Sequence, residues 1–512
     1  MEKYVIGVDI GTTYAKAILF DGKGHETAVE KGKILHYSDE PRHMEMDMSE
    51  VYEEVSLLIK RLVQNNDVSK EQILALGVGG QSEGLWPVGY NGEPCGRAIM
   101  WCDSRASEIS AEIMSSPENL MRIFELSGGV VTGASGSSIS RWILENEPER
   151  YEKIKWIGTC FDWIKFKMTG EMTMSNTYTA DLLDIRKLEY SDELMQLYKV
   201  EHLKEKLPPL RCMSKNNAPL SKEAAERMGL NPGIPVVGGP FDMIACSLGV
   251  GASEPGVVAV IMGTSNMIAY PIENPEGVQL EDGNAVKRPH ACDNMWMQLT
   301  GTMTCTPNFD WAISQFGKAC GIEKGEYDKL EEAMSEVPIG CEGLIYHPYL
   351  STTGERAPFM NPYARAQFTG ISLNHTAAHM LRAVYEGVIY SIYDCMQVLR
   401  RYDIQELRVA GGGGRSPFIM QMLADITGVK TVRMKGNEEG ARGSALIASV
   451  AAGKFADMRT AANKILEVER EFCPNEENTK KYRKVYELYQ KVRVDSEAIW
   501  AEREKMLQEI EK

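Results

Sequence analysis

The sequence lacks a run of apolar residues long enough to cross a membrane. Its longest, such as the one at Val257–Met262, fall well short of the ~18–20 residues a spanning helix needs. It opens MEKYVIGVDIGTT, with no basic start, apolar stretch and small-residue cleavage site, so no secretory signal is expected. No C-x-x-C pair and no Cys/His zinc spacing occurs among its 11 cysteines, which predicts reduced thiols and a cytoplasmic setting. Positive charge is in deficit: 56 Lys and Arg against 72 Asp and Glu give a net charge of −16. Nucleic acid and anionic membranes are therefore not expected as partners, because phosphate polyanions are met by basic patches. No G-x-x-x-x-G-K-[ST] is present, and no G-x-G-x-x-G follows a strand. That excludes a P-loop and leaves a Rossmann cofactor site unsupported.

What is there is a globular composition, 43% hydrophobic and 25% charged over 512 residues. That length predicts two to four domains. The first segment reads strand, turn, strand: Tyr4–Asp9, the turn Gly11-Thr12-Thr13, then Ala15–Phe20, with a third strand near Glu26–Tyr37. Val51, Val55, Leu58, Ile59, Leu62 and Val63 recur at helical spacing, and Asp47 with Glu50 predicts a capping box before them. Ile73–Val78 reads as a strand ending at Gly79-Gly80. The opening pattern recurs as GVVAVIM, Gly263-Thr264-Ser265 and Met267–Pro271, a short internal repeat that predicts two similar domains. Their boundary is expected in the small-residue stretch Gly249–Gly256, giving 1–251 and 252–512. Further on, Leu407–Ala410 predicts a strand, Gly411–Gly414 a flexible turn, Pro417–Thr427 a helix, and residues 479–511 a charged terminal helix.

Glycines and small hydroxyl residues in tight hairpin turns let backbone N–H groups and hydroxyls reach phosphate oxygens. Asp9 stands just before one such turn, where a carboxylate can hold Mg²⁺ through water. One hairpin alone is better read as an ordinary turn; two, plus a glycine-rich strand-to-helix turn, favour a nucleotide. In Gly238-Gly239-Pro240-Phe241-Asp242 a strand runs into small residues and then one carboxylate, with an apolar helix expected after it. The helix dipole should keep Asp242 ionised, able to take a proton from an alcohol, although spacing alone fits a structural cap better. Gln81, Ser82 and Glu83 at a strand end suit recognition of hydroxyls, as does Asp103 in WCDSR. A polar loop with Asp103 and Arg105 paired explains the latter segment equally well.

Taken together, these segments resemble the FGGY family of carbohydrate kinases. The phosphate motifs match VIGVDIGTTYAKAILFD (5–21) and IMGTSN (261–266), the sugar-side motif GQSEGLWPVGYNGEPCGRAIMWCDSRA (80–106), and the catalytic-aspartate motif GGPFD (238–242). The adenosine motif resembles VAGGGGRSPFIMQMLADITG (409–428), the second signature AQFTGISLNHTAAHMLRAVYE (366–386), and the closing motif EEGARGSALIA (438–448). One departure is Ile139, where the first signature has Lys three residues before its Trp, here Trp142. The resemblance implies an α/β fold of two duplicated actin-like, ribonuclease-H-like ATPase domains around a central cleft. It implies Asp242 as general base and Asp9 as the Mg²⁺-organising carboxylate. ATP would be held by Gly11, Thr12, Thr13, Gly263 and Thr264 at the phosphates and by Gly412 and Gly413 at the adenosine. Ser82, Glu83 and Asp242 would contact a small sugar or polyol, with Gln81 and Asp103 on the same wall. A homodimer is implied at family level.

For the substrate, glycerol is disfavoured: glycerol kinases place Arg, Gln and Tyr where Ser82, Met243 and Ala134 stand. The GGPFD form is more similar to L-xylulose and erythritol kinases than to D-xylulose kinases, and GERAPFMNPYARAQFTG (354–370) also resembles the erythritol kinases. A pentulose such as L-xylulose is the leading expectation and an erythritol-type polyol the second. An actin-like ATPase without a sugar acceptor, or an inactive sugar sensor, is a reading of another class.

Overall fold

In a computed structural model of the chain, residues 2–178, 181–277, 279, 285–323 and 325–510 are described. Two sheets organise them. The first contains β1 (Tyr4–Ile10), β2 (Tyr14–Phe20), β3 (Glu26–Lys33), β4 (Ile73–Gly80), β5 (Asn217–Pro219) and β6 (Pro235–Phe241), in the order β5-β6-β4-β1-β2-β3. β1, β2 and β3 form an antiparallel meander, while β4 runs parallel to β1 and β6 parallel to β4. Both faces of β1 are covered, so it is buried almost throughout, whereas the edge strand β3 alternates half-buried and exposed residues. Ile6, Val8 and Ile10 pack on helix α1 (Met48–Gln64) through its predicted stripe from Val51 to Val63. Asp47 caps α1 by accepting from the N–H groups of Ser49 and Glu50. The reciprocal half of a capping box does not form, because the Glu50 carboxylate instead accepts from the Tyr37 hydroxyl at 2.8 Å. The third strand also ends at Lys33, four residues before its predicted limit.

After helix α2 (Asp242–Gly249) comes the second sheet: β7 (Val257–Met262), β8 (Asn266–Ile272), β9 (Val286–Pro289), β10 (Trp296–Thr300), β11 (Glu406–Ala410), β12 (Lys430–Met434) and β13 (Val468–Phe472), in the order β9-β10-β8-β7-β11-β12-β13. The run β12-β11-β7-β8-β10 repeats the run β6-β4-β1-β2-β3 in order and in strand direction. The short sequence repeat is therefore the visible edge of a five-strand duplication. Its two hairpin bends close alike: Gly11 N–H donates to the Tyr14 carbonyl and Gly263 N–H to the Ser265 carbonyl, both at 3.0 Å.

The segment 84–211 adds small helices and three strands, Gly84–Gly89, Ala98–Met100 and Ile154–Gly158, which join Glu45–Met46 in a separate four-stranded sheet. Helix α3 (Ala377–Met396) fills the second core, and α4 (Pro417–Thr427) follows β11. Between the sheets lie α2 and α5 (Glu439–Ala451), which share a core with Val5, Val237, Val257 and Val432. Glycines allow this contact at backbone distance. A Cβ on Gly249 would stand 1.9 Å from the Glu439 carbonyl oxygen, and one on Gly443 would stand 2.0 Å from that of Ala245. The same holds against the first sheet, where a Cβ on Gly7 would stand 2.0 Å from the Ala441 carbonyl oxygen. The terminal helix α6 (Glu476–Ile510) docks on the second core through Tyr482, Tyr486 and Tyr489, while Trp500 packs in a small separate cluster with Tyr349 and Phe359; residue 511 of the expected span lies outside the described residues. No helix among the described residues is long and apolar enough to cross a membrane.

Candidate active site

The two glycine–threonine bends sit at matching ends of the two sheets, at β1–β2 and β7–β8. Thr264 and Ser265 are exposed toward open space, and a Cβ on Gly263 would meet nothing nearer than 3.8 Å. At the other bend the Trp101 indole N–H donates to the Thr12 hydroxyl at 2.9 Å, a contact the sequence did not announce. Across β1 from this bend, Lys16 pairs with Glu438 at 2.5 Å.

Asp9 and Asp242 come together from different elements. Asp9 is the penultimate residue of β1; Asp242 is the first residue of α2, where the strand β6 ends. Burial pushes the Asp9 carboxyl up to about 6, opposed by Lys16 and reinforced by Glu438 and Glu439. Burial and then the Asp9 charge push Asp242 up to about 7, against the stabilising hydrogen bond that its Oδ1 accepts from Met243 N–H at 2.7 Å. The helix dipole was expected to keep Asp242 ionised, but α2 has only eight residues, and desolvation together with a like charge outweighs it. A carboxyl that titrates near neutrality is matched to proton transfer at physiological pH.

Next to this pair opens a cavity of about 620 Å³. From the first half of the chain it is lined by Glu83, Thr132, Phe241 and Met243, and from the second by Arg288 and Arg356. Burial raises the Glu83 carboxyl, with Asp181 adding to the rise and Arg288 and Arg356 opposing it. Ser82 Oγ and Gln81 Oε1 are buried without a hydrogen-bond partner, as are the Tyr178 hydroxyl and Asn176 Oδ1. Such orphaned groups are costly unless something meets them, and polyhydroxylated ligands do so. Gln81 turns its amide nitrogen toward Met46 Sδ at 3.2 Å. Tyr178 was missed in the sequence because nothing in its spacing marks it; its ring packs 6.3 Å from Phe241. Asp103 is occupied elsewhere. Its oxygens accept from Arg105 Nε at 3.0 Å and Nη2 at 2.8 Å and from the backbone N–H groups of Met44 and Arg105. These bonds hold the carboxylate within its own loop, and Asp103 does not line the cavity beside Glu83.

Gly412 and Gly413 edge a second cavity of about 570 Å³, lined by Phe309, Ile313, Tyr385, Pro417 and Ile419 with Asp310 and Glu331 at its polar side. An apolar slot with a few polar groups suits a purine and its ribose. The glycine run is not a flexible turn: Gly412–Arg415 winds one 3₁₀ turn, because Gly411 (φ 85°) lies against the Met262 carbonyl and Gly413 against its side chain. A Cβ on Gly412 would meet nothing within 4 Å, which leaves room for a ligand against the backbone.

The family models for the N-terminal and C-terminal domains of the FGGY family of carbohydrate kinases match residues 4–249 and 258–452. The chain belongs to this family. It is 28% identical over 497 residues to a probable L-xylulose kinase of Haemophilus influenzae, covering 95% of this chain and 98% of that one. It is also 28% identical over 499 residues to the L-xylulose/3-keto-L-gulonate kinase of Escherichia coli, covering 96% of each. Among solved structures, a ligand-bound xylulose kinase from Lactobacillus acidophilus superposes with a TM-score of 0.89 at 24% identity, covering 98% of this chain and 99% of that one. The chain is thus a sugar kinase with the duplicated actin-like ATPase fold.

Proposed function

We propose that this FGGY kinase transfers the γ-phosphoryl group of ATP to a hydroxyl of a pentulose, L-xylulose in first place. The observation that carries the reading is the burial of Asp242 with Asp9 beside a cavity lined by Glu83 and by Phe241 and Met243, the residues on either side of Asp242. The two relatives named for L-xylulose support the choice of sugar.

Phosphoryl transfer asks a protein for positioning and charge neutralisation. Asp242 accepts the proton of the attacking hydroxyl. Backbone N–H groups and hydroxyls at Gly11–Thr13 and Gly263–Thr264 hold the phosphate oxygens, while the slot at Gly412–Gly413 takes the adenosine. Glu83, Ser82 and Tyr178 accept from or donate to the other sugar hydroxyls and so orient the reacting one toward Asp242. Mg²⁺, when bound, neutralises charge on the phosphates. Among the described residues no cluster of three or more His, Cys, Asp or Glu side chains is arranged to hold a metal. One carboxylate, Asp9, acting through water fits an ion that keeps most of its water and phosphate ligands. Closure of the two sheets' halves on the sugar excludes water and with it ATP hydrolysis.

An erythritol-type polyol is the second reading, favoured by Arg356, Ala357 and Met360, which line the cavity from the 354–370 segment that resembles erythritol kinases. Coupled ADP release with L-xylulose, other pentuloses, erythritol, glycerol and gluconate tests both. The fastest turnover is expected with a pentulose. Turnover on glycerol alone would overturn the ordering, and a rate that no sugar changes would overturn the kinase reading.

A further inference from the structure

The acceptor cavity is lined by both halves of the chain, and the second half brings two charged groups to it, Arg288 and Arg356. β9, the edge strand of the second sheet, touches the first half along its length. The Lys287 N–H donates to the Gly128 carbonyl at 2.5 Å, and the Trp296 indole on β10 donates to the Ile185 carbonyl at 2.8 Å. Between these contacts the Arg288 side chain reaches into the acceptor cavity. Its Nη2 donates to Asp181 Oδ1 at 3.1 Å, and Nη1 to the Lys287 carbonyl at 3.1 Å. The two side chains of the pair are 12% and 6% exposed, so solvent screens little of their interaction.

Glu83 and Arg356 line the same cavity, and the Tyr178 hydroxyl and Asp242 are electrostatic neighbours of Glu83. Glu83 and Asp181 are like charges in one desolvated wall, which by itself would favour a protonated Glu83. A neutral carboxyl would have one proton to give and less capacity to accept from sugar hydroxyls. A guanidinium bonded to Asp181 and facing Glu83 opposes that effect, as Arg356 does, and so favours the acceptor-only carboxylate.

We propose that Arg288 is a specificity-determining residue of the acceptor site, supplied by the second sheet and anchored on Asp181, and that its guanidinium, with Arg356, faces Glu83 across the cavity so that these groups meet the sugar hydroxyls together. The inference rests on the reading of the 620 Å³ cavity as the acceptor site. It adds that acceptor recognition is incomplete without the half of the molecule that carries the second phosphate bend, which ties sugar affinity to closure.

The test is calorimetric binding of L-xylulose, or of the best acceptor from the panel above, between pH 5 and 9. It uses an Asp242→Asn background, so that the base does not titrate. Arg288→Met should weaken binding at least tenfold at pH 7 and move the midpoint of its pH dependence upward, because Glu83 loses a neighbouring cation. Asp181→Asn should move the midpoint downward, because Glu83 loses a like charge. Arg288→Lys should fall between Arg288→Met and the parent. Opposite movements are a signature that general loosening of the fold does not produce. Binding within twofold of the parent in Arg288→Met overturns the proposal, as do midpoints that stay put or move the same way. If Arg288→Met does not fold, the direction seen in Asp181→Asn decides. Failure of the parent enzyme to turn over any sugar would instead strike the kinase reading, and this proposal with it. Normal turnover with indifferent variants strikes this proposal alone.

Discussion

Replacing Asp242 by Asn should make the protein more stable and nearly inactive, and both effects follow from one displacement. The carboxyl is pushed from 3.8 up to about 7 by burial and by Asp9, so the folded state carries its charge at a cost. Linkage sets a ceiling of about 4 kcal/mol for that cost well above pH 7; water reaching the half-buried group brings it to about 2–4 kcal/mol. The sign follows from the direction of the shift. A carboxyl whose folded value is raised favours the folded state while protonated, below about pH 4, and that advantage is lost as pH climbs to about 7. The Asn variant, which is neutral and can still accept from Met243 N–H, escapes the loss. Its melting temperature should match the wild type at pH 4 and exceed it by about 2–6 °C at pH 8, given the shallow dependence of melting temperature on free energy in a large protein. Its kcat should fall about 10²–10⁴-fold, and the acid limb near pH 7 in the wild-type kcat profile should disappear. Differential scanning calorimetry and coupled-assay kinetics across pH 4–9 read both. An Asn variant that is no more stable than the wild type at pH 8, or that keeps kcat within tenfold, refutes the reasoning.

Three other outcomes are expected. Thr264→Val removes a hydroxyl exposed at the second bend; losing a hydrogen bond to a charged phosphate, about 1.5–3 kcal/mol, should raise the KM for ATP roughly tenfold or more and leave the acceptor KM unchanged in steady-state assays. Glu83→Ala should do the reverse, raising the acceptor KM by at least tenfold with the KM for ATP within about twofold. Gly443→Ala places a Cβ 2.0 Å from the Ala245 carbonyl oxygen, and forcing α2 and α5 apart should cost about 1–3 kcal/mol, seen as a lower melting temperature and a lower kcat.

How much of this was legible beforehand depended on whether the signal was local. The bends at Gly11–Thr13 and Gly263–Thr264 are written in consecutive residues, so the hairpins and helix α1 could be drawn from spacing, and the short repeat pointed to the duplication. The five-strand match could not be seen, because β11 and β12 join the second sheet from far along the chain. Asp242 was ambiguous for a related reason. An acid where a strand meets a helix serves equally as a cap, and what suits this one to proton transfer is burial near Asp9 on a distant strand. The resemblance to a family suggested a role as base that physical reasoning from sequence did not favour. Tyr178 and Arg288 left no mark at all, since each matters only through partners gathered by the fold. Asp103 was read both ways, and its pairing with Arg105, only two residues on, took the simpler one. The capping box failed because Tyr37, from another segment, competes for Glu50.

The placement of α2 and α5 explains how one active site can be both rigid and gated. Asp242 begins α2, and α5 begins beside Asp9, where a Cβ on Gly440 would stand 3.1 Å from the Asp9 carboxylate. The two helices touch at backbone distance at Gly249 and Gly443, and α5 touches β1 the same way at Gly7. Close-packed backbones leave little room for sliding, so Asp242 and Asp9 are fixed relative to each other and to the first sheet. The adenosine slot, the second phosphate bend and Arg288 belong to the other sheet. Motion of that sheet therefore changes the distance of the phosphate donor from the acceptor without disturbing the acid–acid pair that sets the base. On the proposed function, such an arrangement lets the enzyme open to exchange ATP for ADP while the surroundings of Asp242 stay unchanged, and lets a sugar held by Glu83 and Arg288 favour the closed form.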